Sequence, residues 1–411
     1  MSYIPLAVPF FILAILLEFI YGWVKKNNTY RLNDTISSLF MGSLSTASKI
    51  VLIGVGGSVF YAIETHYALW RMDDSLVITW IFAFVAQDFC YYWLHRFGHE
   101  RQIFWASHVA HHQSEEYNLS TALRQTSMSF LLSWIFYVPL FLIGMPAMVF
   151  VTVASINLIY QFWVHSQHIP KLGWYELFFI TPSNHRVHHA QNEIYIDKNY
   201  GGIFVIWDRI FGTFQEEQED EPCIYGIRGP IKTFNPLWAN VHIYFGIFRN
   251  FFKTKNWKDK FHVLVARTGW QPEDIEKVNP TKEFDASSFV KYDPAVNRIV
   301  AIYGFIQLII LTIAAPFIIE DEASSYYLGA LGVGMILFTM ISTTKWLDGK
   351  SAMHLEIPRL IIFSLCAIAG LQYYENIIGI IVLIGYVLLN LLVLPFLKNA
   401  VDNQHDAFTH E

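Results

Sequence analysis

The sequence predicts an all-α protein, a polytopic membrane bundle of about nine transmembrane helices with a histidine-rich cap on the cytoplasmic side. Composition is the first reason. Apolar residues make up 54% of the 411 residues and charged residues only 15%, whereas soluble domains carry about 25% charged residues. The second reason is a series of apolar segments near 20 residues long, the length that spans a hydrocarbon core of about 30 Å.

The predicted spans follow the chain in order. They are 4–23, 49–66, 76–94, 128–143, 146–164, 298–318, 325–343, 357–373 and 377–397. The first is followed by Lys25 and Lys26 and by no small-residue cleavage site, so it is expected to be a retained helix and not a removed signal peptide. The fourth and fifth are expected to form a hairpin through Gly144 and Pro146.

Basic residues in the short loops give the predicted orientation. With nine helices, most of them fall on one side, from Lys25 to Lys398, and the acidic stretch Glu320 to Glu322 falls on the other. The side that is rich in lysine and arginine is predicted to be cytoplasmic. Either a bacterial inner membrane or an endoplasmic reticulum membrane is compatible with this topology.

The loop from 165 to 297 has no convincing span and is predicted to lie as a cap on the bilayer. Within it, Lys253 to Lys260 is basic and aromatic, which is typical either of a contact with anionic lipid or of a solvated loop. The predicted regions are 1–75 (N-terminal helices), 76–250 (catalytic region), 251–297 (cytoplasmic connector) and 298–411 (four-helix scaffold).

Histidines are concentrated in the catalytic region, where ten of the sixteen lie between 95 and 189. They form one HxxxH box and two HxxHH boxes, and these spacings place the imidazoles of each box on one face of a helix. Ionisable residues close to membrane spans are candidates for function. The members of the three boxes are His95 and His99, then His108, His111 and His112, then His185, His188 and His189.

Eight imidazoles exceed what one zinc ion binds, since zinc takes four ligands. An all-nitrogen set without cysteine favours two iron ions over a structural zinc. His165, at the end of the fifth span on the same side, is predicted to be a ninth ligand. For His168, one turn further on, a ligand role and an ordinary structural role are equally compatible with the sequence.

These boxes resemble those of the fatty acid hydroxylase and sterol desaturase superfamily. The lead-in from Asp88 to Arg96 and the stretches 197–201 and 206–213 are similar to it as well. The resemblance covers about 80 to 250 and implies a membrane-bound diiron enzyme that uses oxygen to hydroxylate or desaturate a lipid.

A narrower resemblance links the chain to the alkylglycerol monooxygenases, which are tetrahydrobiopterin-dependent glyceryl-ether oxidases. The segments 114–125, 157–165, 181–189 and 195–200 carry it. The chain departs from the animal enzymes at two positions. Asn184 stands where a histidine is expected, and His168 stands where those enzymes are expected to have no histidine. The implied reaction is hydroxylation of the carbon next to an ether oxygen, which releases a fatty aldehyde and a glycerol derivative, with tetrahydrobiopterin as a possible electron donor.

Other polar residues are candidates around the metals. Glu100 corresponds to a glutamate that follows the first box in the family, and it is expected either to support a ligand or to pair with Arg96 or Arg101. Asp88 lies seven residues before His95 on the same helix face, where a histidine N–H is its expected partner. Three further residues are candidates for lining a cofactor or headgroup pocket, and ordinary roles in loops and helix caps are the alternative for each of them. They are Asn118, Arg124 and Gln125.

The sequence predicts a lipid monooxygenase that receives its lipid from the bilayer and uses dioxygen. It needs an external reductant, because no nucleotide-binding fingerprint or CxxCH haem site is present.

The first alternative is another lipid oxidation, of a sterol, carotenoid or acyl chain. A metal transporter is a distant alternative, because the ligands crowd one side and the later spans lack carboxylates. A metal-dependent hydrolase ranks lower, since no HExxH is present. The net charge of −6 gives no reason to expect nucleic-acid binding, and the oligomeric state is open.

Overall fold

The structure is a computed structural model that describes residues 3–281, 283–319, 326–373 and 377–409. Within these ranges the chain is helical, with two isolated β-bridges and no strand. The helices are α1 (Ile4–Val24), α2 (Leu32–His66), α3 (Val77–Glu100), α4 (Gln102–Ala106), α5 (Val109–His112), α6 (Leu119–Ala122), α7 (Trp134–Leu142), α8 (Ala147–Trp163), α9 (Pro182–His189), α10 (Ile206–Phe211), α11 (Pro236–Lys253), α12 (Trp257–Val265), α13 (Glu273–Glu276), α14 (Arg298–Ile319), α15 (Tyr326–Leu347), α16 (Met353–Tyr373) and α17 (Ile377–Thr409). Short 3₁₀ turns lie at Ser129–Leu131, Gly173–Leu177, Glu193–Tyr195 and Ala286–Ser288.

Several helices present long apolar faces to their surroundings. In the part of the chain that the structure describes, four are long and apolar enough to cross a bilayer, at Ile4–Val24, Val77–Glu100, Gly329–Leu347 and Ile377–Asp402. Two shorter apolar helices lie at Ala147–Trp163 and Arg298–Ile313. Exposed leucines and phenylalanines recur along α1 and α17 at helical spacing, a surface that is unfavourable in water and suited to lipid. The chain is therefore a helical integral membrane protein, as the composition predicted.

The predicted spans 128–143 and 49–66 do not coincide with helices of the structure. The predicted span 128–143 contains a 3₁₀ turn and then the nine-residue helix α7. At the rise of an α-helix, α7 is only about 14 Å long. It packs against α3 and α8 through Leu140 and Phe141. The predicted span 49–66 is the second half of α2, which begins at Leu32. The first turns of α2 carry the buried polar side chains of Asp34 and Ser37. Asp34 accepts a hydrogen bond from the Ser114 hydroxyl, and Ser37 accepts one from the Arg124 guanidinium.

The chain divides into two compact units. The first comprises Met1–Ser45, Leu52–Ile231 and Trp238–Lys291, and the second comprises Thr46–Val51, Lys232–Leu237 and Tyr292–Glu411. In the first unit an apolar cluster from α3, α7 and α8 surrounds Phe141 and Val149. On α3 this cluster includes Ala83 and Cys90, which precede the first histidine box on the same helix.

The second unit is built from α14 to α17 and contains a buried ion pair. Glu356 and Arg359, both on α16, are 0% exposed, and their side chains approach to 2.5 Å. Ser342 and Tyr303 donate to the same Glu356 oxygen, at 2.8 and 2.9 Å. Asn390 accepts from Arg359 at 3.0 Å. The expectation that the later helices lack carboxylates is therefore wrong: α16 begins at Met353, four residues before the predicted span, and so includes Glu356.

Candidate metal centre

Nine buried or half-buried histidines converge in the first unit and form two groups. Within each group one ring nitrogen per residue lies within 4.8 Å of the others. The first group is His95, His99, His108, His112 and His188, and the second group is His111, His165, His185 and His189. These are the nine residues that the sequence predicts as ligands.

The end of α3, the two short helices α5 and α9 and the segment after α8 carry the nine imidazole rings. His95 and His99 lie one turn apart in the last two turns of α3. The second box is on α5 and its first residue precedes that helix, while His165 follows α8 by two residues. The third box is on α9, which begins with a capping box between Thr181 and Asn184. Since α5 and α9 are only one to two turns long, their ends are fixed by neighbouring loops more than by their own helical hydrogen bonds.

Backbone carbonyls orient four of the imidazoles through Nδ1. The distances from Nδ1 to oxygen are 2.8 Å for His95 to Tyr200, 2.8 Å for His111 to Arg124, 2.8 Å for His165 to Gln161 and 3.0 Å for His188 to Lys198. A carbonyl oxygen only accepts hydrogen bonds, so each of these Nδ1 atoms carries the proton. In the neutral ring, Nε2 is then unprotonated and presents a free lone pair. This is the arrangement in which proteins present histidine to a metal.

Two of these lone pairs face each other. Nε2 of His111 and Nε2 of His165 are 3.3 Å apart, and both rings hold their proton on Nδ1. Protonating one ring would remove the repulsion, but burial lowers the pKa of His111 to about 4 and that of His165 well below its usual value. A cation between the rings removes the repulsion without that cost, so the residues fit a metal ion.

The remaining ring nitrogens fit the same interpretation. Nε2 of His99 and Nε2 of His188 are buried and have no hydrogen-bond partner among the described residues. In the second group, Nε2 of His185 lies 3.2 Å from Nε2 of both His165 and His189. An all-imidazole donor set suits iron, copper, nickel or zinc, and five ligands in one group and four in the other suit two ions.

The segment from Lys198 to Phe204, a turn of the chain, orients histidines of two boxes. The carbonyls of Lys198 and Tyr200 accept from Nδ1 of His188 and His95. Asp88 and Asp208 fix this turn. Asp88 is fully buried and accepts from the backbone N–H groups of Ile203 and Phe204, from Trp207 and from Asn157. Asp208 accepts from the N–H groups of Tyr200 and Gly201, at 2.7 and 2.8 Å.

Gly202 lies where the segment from Lys198 to Phe204 comes closest to Asp88, and a larger residue would not fit there. A Cβ on Gly202 would lie 2.8 Å from Oδ1 of Asp88. Asp88 therefore acts on His95 through the turn, and its partners differ from the histidine N–H expected from the sequence.

Replacing Asp88 by asparagine tests this arrangement. The new side-chain amide would direct N–H groups at the donors of the turn, so the Tyr200 carbonyl would shift away from His95. Losing a group that orients a metal ligand costs roughly 10–100-fold in metal affinity or activity, and we expect a loss of that size. The measurement is the amount of metal that the loaded protein retains against a series of chelators. Asp74→Asn, an exposed change on the loop before α3, is the control. Retention equal to that of the unchanged protein would contradict the role given to Asp88.

The other predicted site residues have structural partners. Glu100 pairs with Arg96 at 2.8 Å, one of the two alternatives expected from the sequence. The Arg124 guanidinium donates to the Ala110 carbonyl and to Ser37, while its own carbonyl orients His111. Asn118 caps α6, and Gln125 donates to the Ala122 carbonyl. A cofactor pocket lined by these residues stays a prediction.

His168 belongs to neither group, and it packs edge-on against Tyr21 of α1. A residue that the sequence reasoning missed lies one turn earlier on α1. Glu18 is buried and accepts from the Ser166 hydroxyl at 2.6 Å and from the Leu119 N–H at 2.8 Å. Glu18 therefore connects α1 by hydrogen bonds to Ser166, which follows His165, and to the start of α6. The signal was present, because a single carboxylate in an apolar span is a candidate for function.

Comparison with known proteins agrees with this geometry. A family model described as fatty acid hydroxylase matches residues 80–213, a range that includes all nine histidines. Alkylglycerol monooxygenase of Homo sapiens is 37% identical over 88% of this chain and 82% of its own length. The protein of the same name from Danio rerio is 36% identical over 89% and 82%. The chain belongs to the alkylglycerol monooxygenase family.

Family membership makes the chain a lipid-oxidising monooxygenase of the fatty acid hydroxylase superfamily, as the histidine boxes indicated. A more distant relative, ornithine lipid hydroxylase of Rhizobium tropici, is 26% identical over 51% of this chain and 64% of its own length. No solved structure matches the chain significantly.

Proposed function

We propose that this chain binds two iron ions and uses dioxygen and a tetrahydropterin to hydroxylate an alkylglycerol at the carbon next to the ether oxygen. One oxygen atom enters the C–H bond and the other leaves as water, with two electrons from the pterin and two protons. The product is a hemiacetal, which collapses to a fatty aldehyde and a glycerol derivative.

The observation that carries the proposal is the pair of facing lone pairs on His111 and His165, 3.3 Å apart in a buried site. It supports a metal cation at this point. Similarity to proteins named alkylglycerol monooxygenase over most of the chain supports the substrate class. The first group of histidines would hold one ion and the second group the other. Bound iron supplies the activation of dioxygen.

The chain's own residues prepare the site for that chemistry. The imidazoles are kept neutral by burial, so they contribute donor atoms without adding charge. Carbonyls of Tyr200, Lys198, Arg124 and Gln161 hold the Nδ1 protons and so fix which nitrogen faces the ions. Burial of the rings also excludes water, which protects a reactive site from side reactions. Glu100 would support the first box through its pair with Arg96, and Asn118, Arg124 and Gln125 would border the cofactor.

We place the metal centre on the cytoplasmic side of the membrane-spanning helical bundle, in a bacterial inner membrane or an endoplasmic reticulum membrane. The basic loops support this orientation, and the position of His95 and His99 at the C-terminal end of α3 supports a site at one membrane face. Four apolar helices in the second unit would act as a scaffold.

The test is turnover by the purified, iron-loaded protein. Supplied with an alkylglycerol, dioxygen and a tetrahydropterin, it should release a long-chain aldehyde, and omitting any one of the three should stop the release. A protein without alkylglycerol turnover that hydroxylates an ornithine lipid or a sterol would assign the site to another lipid. Iron-loaded protein that oxidises no lipid would overturn the proposal.

A further inference from the structure

Helices α11 and α12 carry an exposed apolar stripe that the proposed function does not use. On α11 it is formed by Phe245, Phe248 and Phe252, and on α12 by Trp257, Phe261 and Val265. The spacings of three or four residues place each set on one helix face. These six side chains, which we call the outer face, are 53–75% exposed.

The opposite faces of the two helices are already packed. Ile247 of α11 and Val263 of α12 form a buried cluster with Ala106 of α4. The hairpin is therefore fixed to the protein through its inner side, and the outer face points away from that contact. An apolar stripe of this extent that a folded protein leaves uncovered marks a surface for lipid or for a partner.

Cations border the outer face. Between 249 and 260 the chain has five, and its one carboxylate there is Asp259, although the whole chain has a net charge of −6. The cations are Arg249, Lys253, Lys255, Lys258 and Lys260. Lys260 lies 5.7 Å from the centre of the Trp257 ring. Aromatic side chains beside lysines are typical of helices that lie in the plane of a membrane interface, where each basic residue contributes about 1 kcal/mol with anionic lipid.

The hairpin is joined to the end of a membrane-spanning helix. The Gln102 N–H, just after α3, donates to the Ala266 carbonyl at 3.0 Å, and the Arg101 guanidinium donates to the Val265 carbonyl at 3.2 Å. The Thr268 hydroxyl donates to the His99 carbonyl. Since α3 is long and apolar enough to cross a bilayer, the C-terminal end of the hairpin lies beside the end of α3, where that helix would leave the hydrocarbon at the depth of the lipid headgroups.

We propose that the outer face of α11 and α12 is an in-plane membrane anchor, which inserts its aromatic stripe among the headgroups of an anionic lipid surface. The charge of the border favours anionic lipid over a protein partner as the occupant. Because Thr268, in the segment directly after α12, is hydrogen-bonded to the backbone of His99, the anchor also sets the depth of the first histidine box relative to the lipid surface.

The test measures which medium surrounds the outer face in the full-length protein, reconstituted in bilayers of phosphatidylcholine and phosphatidylglycerol. A spin label is attached at Phe252→Cys in a background without Cys90, Cys223 and Cys366, and its relaxation by oxygen and by a water-soluble nickel chelate is recorded. The matched control is Glu273→Cys, on the exposed helix α13. A second label at Phe248→Cys covers the case in which the first variant does not fold.

Lipid contact predicts strong relaxation by oxygen and weak relaxation by nickel at 252, with a ratio several-fold above that at 273. Equal ratios at the two positions would place the outer face in water and overturn the proposal. Weak relaxation by both agents would place it against protein, which also overturns it.

The lysines are tested by the lipid dependence of the same signal. In bilayers of phosphatidylcholine alone, the label at 252 should become more accessible to nickel. The triple substitution Lys253→Gln, Lys255→Gln and Lys258→Gln should remove the difference between the two bilayers. A label whose accessibility is the same in both bilayers, with the lysines present, would contradict the anionic lipid as occupant.

Discussion

Substituting His111 by alanine should remove lipid oxidation and lower the iron content of the purified protein. His111 belongs to the second group and its Nε2 faces that of His165 at 3.3 Å. Without it, three described imidazoles remain in that group, and the carbonyl of Arg124 loses the ring that it orients. Changes to groups that merely support a ligand cost roughly 10–100-fold, so loss of a ligand should exceed about 100-fold in turnover. Iron per protein by mass spectrometry and aldehyde release are the two measurements.

His168→Ala is the matched control, because it removes the same side chain from the same region outside both groups. It should retain the iron content and most of the turnover. The folding of both variants is compared by thermal unfolding, so that a loss of metal is separated from a loss of structure. If His111→Ala kept its full iron content while His168→Ala lost it, the division into two groups would be wrong.

Replacing Glu356 by alanine should strongly destabilise the second unit. Arg359 would be left fully buried with no described carboxylate beside it. Removing one partner of a buried ion pair costs about 3–5 kcal/mol, since the remaining charge stays desolvated. Tyr303, Ser342 and Trp346 would also lose their common acceptor. We expect a large drop in the unfolding temperature in detergent micelles.

Lys345→Ala is the reference for this experiment. It removes a charge from the same unit, where Lys345 contacts His354 at 3.0 Å in an exposed position, and exposed polar pairs contribute about 0–1 kcal/mol. Glu356→Ala with the stability of Lys345→Ala would show that the buried network does not hold α14 to α17 together. Joint replacement of Glu356 and Arg359 by apolar residues should recover part of the loss, because neither charge is then left alone.

The clustering of the nine histidines could be predicted residue by residue because the sequence pattern behind it is local. Histidines at i, i+3 and i+4 share a helix face whatever the tertiary structure is, and His165 follows from its place at the end of an apolar segment. The division into groups of five and four needed the structure, because adjacent residues such as His111 and His112 enter different groups.

Long-range partners could not be predicted. The buried position of Asp88 follows from its place in an apolar helix, but its donors lie more than a hundred residues away at Ile203 and Phe204, and no periodicity carries that pairing. Glu356 was missed because hydropathy favours starting a span after a charge, while helix formation does not stop there. The length of α7 was overestimated for a similar reason, since apolar composition does not reveal a 3₁₀ turn.

The two short helices that carry the HxxHH boxes are shared between the two histidine groups. α5 supplies His112 to one and His111 to the other, and α9 divides its three histidines in the same way. In the proposed two-ion centre, filling the first group fixes α5 and α9 and so pre-orders three of the four imidazoles of the second group. The pair should therefore fill cooperatively. Titration of the metal-free protein should give empty and doubly loaded forms, with little of the singly loaded species.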